Sequence, residues 1–208
     1  REPISAKLVA NLLVTAGADR ILTMDLHSPA IEGFFDIQVD HLRATPILAA
    51  HFRRLGLDDL VVVSPDSGSV ARAEEFRRRT GGSLAIISKQ RPGPERAEVL
   101  EMVGDVEGRH AVIVDDMISS GWTLVKAAEA LLARGARSVR AAAVHGVFAG
   151  EAMRLIQESP IEKVFVTDTL PLPEGVSSDK VEVLTVAPLI AEAIMRIHKD
   201  LSISALFT

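Results

Sequence analysis

Apolar residues follow two alternating periods along the chain, and these periods predict helices and strands in turn. Helical spacing, often ended by a glycine, occurs at residues 4–15, 45–55, 70–79, 124–133, 151–157 and 188–198. Short unbroken apolar runs predict strands at residues 21–24, 60–63, 84–87, 111–114, 139–144, 163–166 and 181–186. Strands and helices in this order predict an α/β fold, with a mainly parallel sheet and helices on both faces.

Polar residues that can do chemistry gather directly after the predicted strands. They are His27, Asp66, Lys89, Asp115, Asp116, His145 and Asp168. In parallel α/β sheets, ligands bind beyond the carboxyl ends of the strands. The pattern therefore predicts a binding site at this edge of the sheet.

The composition narrows the classes of function. Of the 208 residues, 48% are hydrophobic, which is enough for a sizeable core, and none is cysteine, which excludes disulfides and thiolate metal sites. The net charge of -5 is dispersed along the chain, which does not favour nucleic-acid binding. No run of 18 apolar residues and no signal peptide is evident, so we expect a cytoplasmic protein without a membrane partner.

The most specific segment is VIVDDMISSGWTL, at residues 112–124. An apolar strand leads into Asp115 and Asp116, which can accept hydrogen bonds from sugar hydroxyls or hold hydrated Mg²⁺. A turn of small residues then leads into a helix, and such a turn can bind phosphate through its backbone amides. A structural alternative is a helix capped by Ser119 or Ser120 after a buried strand.

This segment resembles the signature that binds phosphoribosyl diphosphate (PRPP) in the phosphoribosyltransferase superfamily, and its Asp-Asp-Met-Ile variant resembles that of ribose-phosphate diphosphokinases. The resemblance implies that Asp115 and Asp116 hold the ribose hydroxyls. It also implies a 5-phosphate site formed by Ser119, Ser120, Gly121 and Thr123. The family usually has an acidic residue at the position of Ser119 and a small one at that of Trp122. A positive φ at Trp122 would strain the backbone.

Further segments resemble the same family in the same order along the chain. They are REPISAKLVANLL (1–13), DLHS with GFFD (25–36), SPDSGSVARA (64–73) and SISALF (202–207). The resemblance implies that His27 contacts the metal and the nucleotide, and that Asp66 contacts the metal and the substrate. Taken alone, His27 is compatible with an ordinary surface position and Asp66 with a plain turn.

Residues 88–98 carry prolines, a glycine and many charges, which predicts a mobile loop. The resemblance implies that this is the catalytic loop and that Lys89 and Arg91 are its catalytic cations. By composition alone the segment is compatible with a charged surface loop. At the carboxyl end of the chain, the resemblance implies that Ser202 and Ser204 help to form an allosteric phosphate site.

The resemblance also implies the domain organisation. We expect two parallel-sheet domains of the type I phosphoribosyltransferase kind, the first of them incomplete. Residues 1–59 would belong to the first domain, 60–186 to the second, and 187–208 would pack back on the first. Because the sequence begins with Arg1, we expect a preceding segment of roughly a third of the family's chain, which contributes to adenine binding.

The implied activity is transfer of the β,γ-diphosphate of Mg-ATP to the 1-hydroxyl of ribose 5-phosphate, which gives PRPP and AMP for nucleotide biosynthesis. The partners would be ATP, Mg²⁺ and further copies of the chain, as dimers that assemble into a hexamer. Two alternatives stay open: a non-catalytic regulatory subunit of such a synthetase, and a phosphoribosyltransferase that consumes PRPP.

Overall fold

A computed structural model of the protein describes residues 4–90, 99–174 and 179–206, except the side chains of residues 89, 90, 99 and 100. The described residues form two compact units. The first combines the chain up to Ala44 with the chain from Ala187 onward, and the second runs from Thr45 to Val186. The sequence predicted the boundary after residue 59, whereas the helix at Thr45–Leu55 groups with the second unit, where Phe52 packs edge-on against Phe76 and Phe165.

The second unit is built on a sheet of seven strands within the described ranges. Its strands are β3 (Leu60–Ser64), β4 (Ser83–Gln90), β5 (Val99–Val103), β6 (His110–Ile118), β7 (Ser138–Gly146), β8 (Lys163–Thr167) and β9 (Val181–Leu184). Their spatial order is β5-β4-β3-β6-β7-β8-β9, and every pairing except β4 with β5 is parallel. The helices of this unit are α2 (Thr45–Leu55), α3 (Val70–Thr80), α4 (Trp122–Ala133) and α5 (Ala152–Glu158).

The core of this sheet consists of valine and alanine on its central strands. Residues 61–63, 111–114 and 141–144 are almost fully buried. Strands covered by helices on both faces need such continuous apolar runs, which is why these runs predict the strands correctly. The predicted α/β fold with parallel sheets is confirmed.

Two strands of this sheet extend further than predicted, and one was not predicted. β6 continues through Asp115 and Asp116 to Ile118, because its last residues still pair with β7. β4 continues to Gln90, so residues 88–90 belong to a strand and not to a loop. β5 was not predicted, and it pairs antiparallel with β4 at the edge of the sheet.

The first unit contains a pair of parallel strands among its described residues, β1 (Arg20–Met24) and β2 (Gln38–Leu42). A 3-10 helix at Pro29–Phe34 lies between them in sequence, and the flanking helices are α1 (Ser5–Thr15) and α6 (Ala187–His198). Of the residues of α1, Ala10 alone is buried, and Leu8 and Leu12 are exposed. None of the helices in the described part of the chain is long and apolar enough to cross a membrane.

Candidate functional site

A cleft of about 180 Å³ lies in the second unit, at the carboxyl ends of β3 and β6. Most of the site residues that the sequence predicts for this unit line it. They are Asp66, Asp115, Ser119, Ser120, Gly121 and Thr123. The structure thus brings together two segments that lie about fifty residues apart in the sequence.

The lining of the cleft distinguishes the two adjacent carboxylates. Asp115 lines the cleft, together with Ile113, Met117 and Ile118 of the same strand. Asp116 is 6% exposed, and it is absent from the described lining of the cleft. Its Oδ1 accepts a hydrogen bond of 2.9 Å from the amide of Met117. Asp115 is therefore the carboxylate placed to contact a ligand.

The surroundings of Asp115 raise its pKa to about 7. Burial is the largest cause, because it disfavours the charged form, and a hydrogen bond with the Asp116 carboxyl and the Asp116 charge add to it. Hydrogen bonds from the Asp116 amide (2.9 Å) and the Ser69 hydroxyl (3.2 Å) to Asp115 Oδ1 act in the opposite direction. Near neutral pH Asp115 is thus present both as a proton donor and as an acceptor, and both forms suit sugar hydroxyls.

The turn at residues 119–121 presents the amino end of α4 to the cleft. Gly121 occupies the N-cap position with φ of 78°, so the structural alternative in which Ser119 or Ser120 caps the helix is wrong. Glycine has no side-chain oxygen to satisfy the amides of the first turn, and such an end is suited to an anion. The amides of Phe148 and Ala149 hold the turn by donating to the carbonyls of Ile118 (3.0 Å) and Ser119 (3.1 Å).

Trp122 does not obstruct this turn. It is the first residue of α4, and 55% of it is exposed. The positive φ of the turn falls on Gly121, where glycine tolerates it, and Trp122 is not among the positive-φ residues of the described chain. The strain considered from the sequence is therefore absent at this residue.

The second side of the cleft is the turn between β3 and α3. The amide of Ser69 donates to Asp66 Oδ1 at 2.9 Å, and the Ser64 hydroxyl donates to the Asp66 carbonyl at 2.7 Å. Ser69 is at the N-cap position of α3, but its hydroxyl donates to Asp115. Ser69 thus connects the two sides of the cleft. Sequence reasoning missed this role, although a serine directly before a helix is a signal for a cap.

The remaining strand-end residues of this unit serve local structure. His145 Nδ1 lies 2.8 Å from Thr169 Oγ1. Asp168 Oδ1 accepts a hydrogen bond of 2.8 Å from the Val186 amide. Burial acts to raise the pKa of Asp168, but hydrogen bonds from the Thr185 hydroxyl and this amide outweigh it and lower the pKa. These contacts join the ends of neighbouring strands.

In the first unit, His27 is exposed in the loop that follows β1. The two serines near the carboxyl end are also exposed, and they lie in a local turn where the Ser204 amide donates to Ser202 Oγ at 3.2 Å.

Lys89 is the next-to-last residue of β4, and its backbone pairs with Leu100. The side chain of Lys89 and the whole of Arg91 lie outside the described residues.

Among the described residues, the predicted metal ligands do not form a complete cage, which is compatible with Mg²⁺. In the described portion of the chain, no three acidic or histidine side chains gather as a ready metal cage. Mg²⁺ does not need such a cage, because proteins commonly hold it through one or two carboxylates together with substrate phosphates. Asp66, with Oδ1 bonded to an amide at the cleft, has the donor chemistry for Mg²⁺ held in this way.

Comparison with known proteins decides the family. The sequence model described as "Phosphoribosyl synthetase-associated domain" matches residues 87–208. A ribose-phosphate pyrophosphokinase from Aquifex aeolicus is 51% identical over 209 residues, which are 100% of this chain and 67% of the relative. The chain belongs to the ribose-phosphate pyrophosphokinase family. The family resemblance stated from the sequence is confirmed.

Other members of the ribose-phosphate pyrophosphokinase family agree. One from Caldanaerobacter subterraneus is 55% identical over 210 residues, which are 100% of this chain and 66% of the relative. The crystal structure of phosphoribosylpyrophosphate synthetase from Mycobacterium smegmatis matches with a TM-score of 0.90 and 44% identity, over 96% of this chain and 65% of that one. The chain thus spans about two thirds of the length of these family members.

Proposed function

We propose that this chain is part of a ribose-phosphate diphosphokinase, which transfers the β,γ-diphosphate of Mg-ATP to the 1-hydroxyl of ribose 5-phosphate. The products are PRPP and AMP. The observation that carries the proposal is the cleft of the second unit, where a glycine-capped helix end and a carboxylate of raised pKa lie side by side.

The cleft supports ribose 5-phosphate as the acceptor substrate. The 5-phosphate binds at the turn formed by residues 119–121 and at Thr123, where backbone amides, hydroxyls and the helix dipole attract an anion. Asp115 accepts from and donates to the ribose hydroxyls. Asp116 supports it, since its amide donates to Asp115 Oδ1 at 2.9 Å and its carboxyl is hydrogen-bonded to that of Asp115.

The transfer needs no covalent intermediate. The 1-hydroxyl oxygen attacks the β-phosphorus of ATP and its proton passes to water, while the bond to the α-phosphate oxygen breaks and AMP leaves with that oxygen. Lys89 and Arg91 stabilise the negative charge on the diphosphate during transfer, and Arg91 is suited to bidentate contact. In the second unit, Asp66 would hold Mg²⁺ together with the substrate phosphates, and in the first unit His27 would contact the metal and the nucleotide; the ion would supply charge neutralisation.

Membership of the family supports further proposals on location, assembly and regulation. The protein acts in the cytoplasm in nucleotide biosynthesis, as a homo-oligomer in which dimers form a hexamer, without a nucleic-acid or membrane partner. The exposed apolar side chains of α1 support burial of this helix in a larger assembly. Ser202 and Ser204 contribute to an allosteric phosphate site.

The test is AMP formation from Mg-ATP by the full-length protein, with and without ribose 5-phosphate. We expect AMP only when ribose 5-phosphate is present. Lys89→Ala should reduce the rate about 100-fold or more, as the loss of a positioned charge does in other enzymes. Lys126→Ala, which changes an exposed lysine of α4, is the matched control and should keep the wild-type rate. AMP formation without ribose 5-phosphate, or equal rates in both variants, would overturn the proposal.

A further inference from the structure

His41 is a buried histidine of β2 that the proposed reaction does not use. Its side chain is 5% exposed. Nε2 accepts a hydrogen bond of 2.8 Å from the amide of Leu26, and Nδ1 bonds the carboxylate of Glu32 in the 3-10 helix. Because Nε2 accepts, the neutral ring carries its proton on Nδ1 and donates it to Glu32. Glu32 therefore selects the tautomer that can bind the Leu26 amide.

The residue before Leu26 is fixed as well. Asp25 has a φ of 42°, which is uncommon for a residue other than glycine and persists where the surroundings hold it. Its fully buried carboxylate accepts from the Ala44 amide at 2.6 Å, and its own amide donates to the Leu42 carbonyl at 3.0 Å. Arg43 Nη1 lies 3.7 Å from the other carboxylate oxygen.

These contacts all act on the loop at residues 25–28. The amides of two consecutive residues, Asp25 and Leu26, are bonded to β2, and the next residue is His27, whose side chain is exposed. When a ligand binds only one conformation of a loop, its apparent affinity falls in proportion to the fraction of time that the loop spends in that conformation. Bonds that hold the backbone directly before His27 therefore raise the affinity of whatever His27 contacts.

We propose that His41 and Glu32 are positioning residues, which hold the 25–28 loop so that His27 is preorganised for Mg-ATP. This inference rests on the proposed function, from which the role of His27 is taken. It assigns a part in nucleotide affinity to His41, which is buried in β2, and to Glu32, which is partly exposed in the 3-10 helix. Both act through the backbone of Leu26 and not by contact with the nucleotide.

Substitutions at His41 separate the hydrogen bond from packing. In His41→Gln, the amide oxygen reaches the region of Nε2 and can accept from Leu26, whereas His41→Leu fills the space and leaves that amide unsatisfied. We expect His41→Leu to raise the KM for Mg-ATP about tenfold, with little change in the KM for ribose 5-phosphate. His41→Gln should stay within about twofold of the wild type.

Glu32→Ala tests the same idea at a residue whose side chain is 40% exposed, where folding is less at risk. Without its acceptor the His41 ring can adopt the other tautomer, so the KM for Mg-ATP should rise about threefold. The matched control is His51→Leu in the second unit. His51 is also a poorly exposed histidine next to a glutamate, with Nε2 at 3.6 Å from Glu182, and its replacement should leave the KM for Mg-ATP unchanged.

Hydrogen exchange of the Leu26 amide, measured without substrate, provides a readout independent of activity. We expect exchange about tenfold faster in His41→Leu and close to wild type in His41→Gln. Unchanged exchange in His41→Leu and Glu32→Ala, or faster exchange with an unchanged KM for Mg-ATP, would overturn the inference. If the wild type forms no AMP at all, the proposed function fails, whereas faster exchange still supports the positioning of the loop.

Discussion

The raised pKa of Asp115 predicts that this residue lowers the stability of the unliganded protein. The unfolded chain ionises Asp115 near pH 3.8, whereas the folded protein does so near pH 7. Below pH 3.8 both states are protonated and the residue has no effect on the free energy of unfolding. Between these values the unfolded state loses its proton first, so stability falls as the pH rises. Above pH 7 the whole penalty is present.

The size of this penalty follows from the two pKa values. The difference between 3.8 and about 7 corresponds to about 4 kcal/mol. Asp115 is only partly buried and faces a solvent-filled cleft, which reduces the penalty to roughly 2–3 kcal/mol. Asp115→Asn removes the ionisable group at nearly constant volume. We therefore expect the variant to exceed the wild type in stability by about this amount at pH 8, and by less than half of it at pH 5.

Urea unfolding followed by circular dichroism at both pH values is the assay. The change in the stability difference between pH 5 and pH 8 is the informative quantity, because any loss of packing or hydrogen bonds in Asp115→Asn is common to both. A stability difference that is the same at both pH values, or that becomes less favourable to the variant as the pH rises, would show that folding does not raise the pKa of Asp115.

Three further substitutions, two of them with a matched control, test the cleft. Gly121→Ala places a methyl group at φ of 78°, and its control Gly135→Ala does the same at φ of 84° beyond the other end of α4, so each should cost about 1 kcal/mol of stability. Only Gly121→Ala should raise the KM for ribose 5-phosphate, and equal KM values in the two variants would contradict phosphate binding at this turn. Ser69→Ala removes a hydrogen bond that lowers the pKa of Asp115, so the pKa of this carboxyl, followed by NMR titration, should rise. Ser67→Ala on the same turn should leave it unchanged, and an unchanged pKa in Ser69→Ala would exclude the contact. Trp122→Ala should change the KM for ribose 5-phosphate less than twofold, and a larger change would show that the exposed ring reaches the substrate.

The sequence predicts the central strands and the location of the site because both depend on local pattern. The apolar runs at 60–63 and 111–114 have to be strands covered on both faces, and the residues that follow them have to lie at one edge of the sheet. Asp66 and Asp115 indeed line one cleft. The family resemblance added the expectation that the amino end of α4 binds the 5-phosphate, and the binding of this ligand remains a prediction.

The errors have a different origin, because they depend on partners distant in sequence. β6 extends past Asp116 only because β7 continues to pair with it, and β5 exists as the partner of β4. The bond from Ser69 to Asp115 and the bond from Leu26 to His41 join residues that no local pattern relates. Sequence alone likewise could not show that Asp115, and not Asp116, belongs to the described lining of the cleft.

³¹P NMR of a reaction of the full-length protein with Mg-ATP and ribose 5-phosphate shows whether PRPP is formed. We expect the signals of ATP to decrease while those of AMP and of a diphosphate ester on the ribose appear in equal amounts. We also expect Asp115→Ala to abolish both products. If a folded protein instead yields ADP and phosphate with unchanged ribose 5-phosphate, or no product at all, the chain is not part of a ribose-phosphate diphosphokinase.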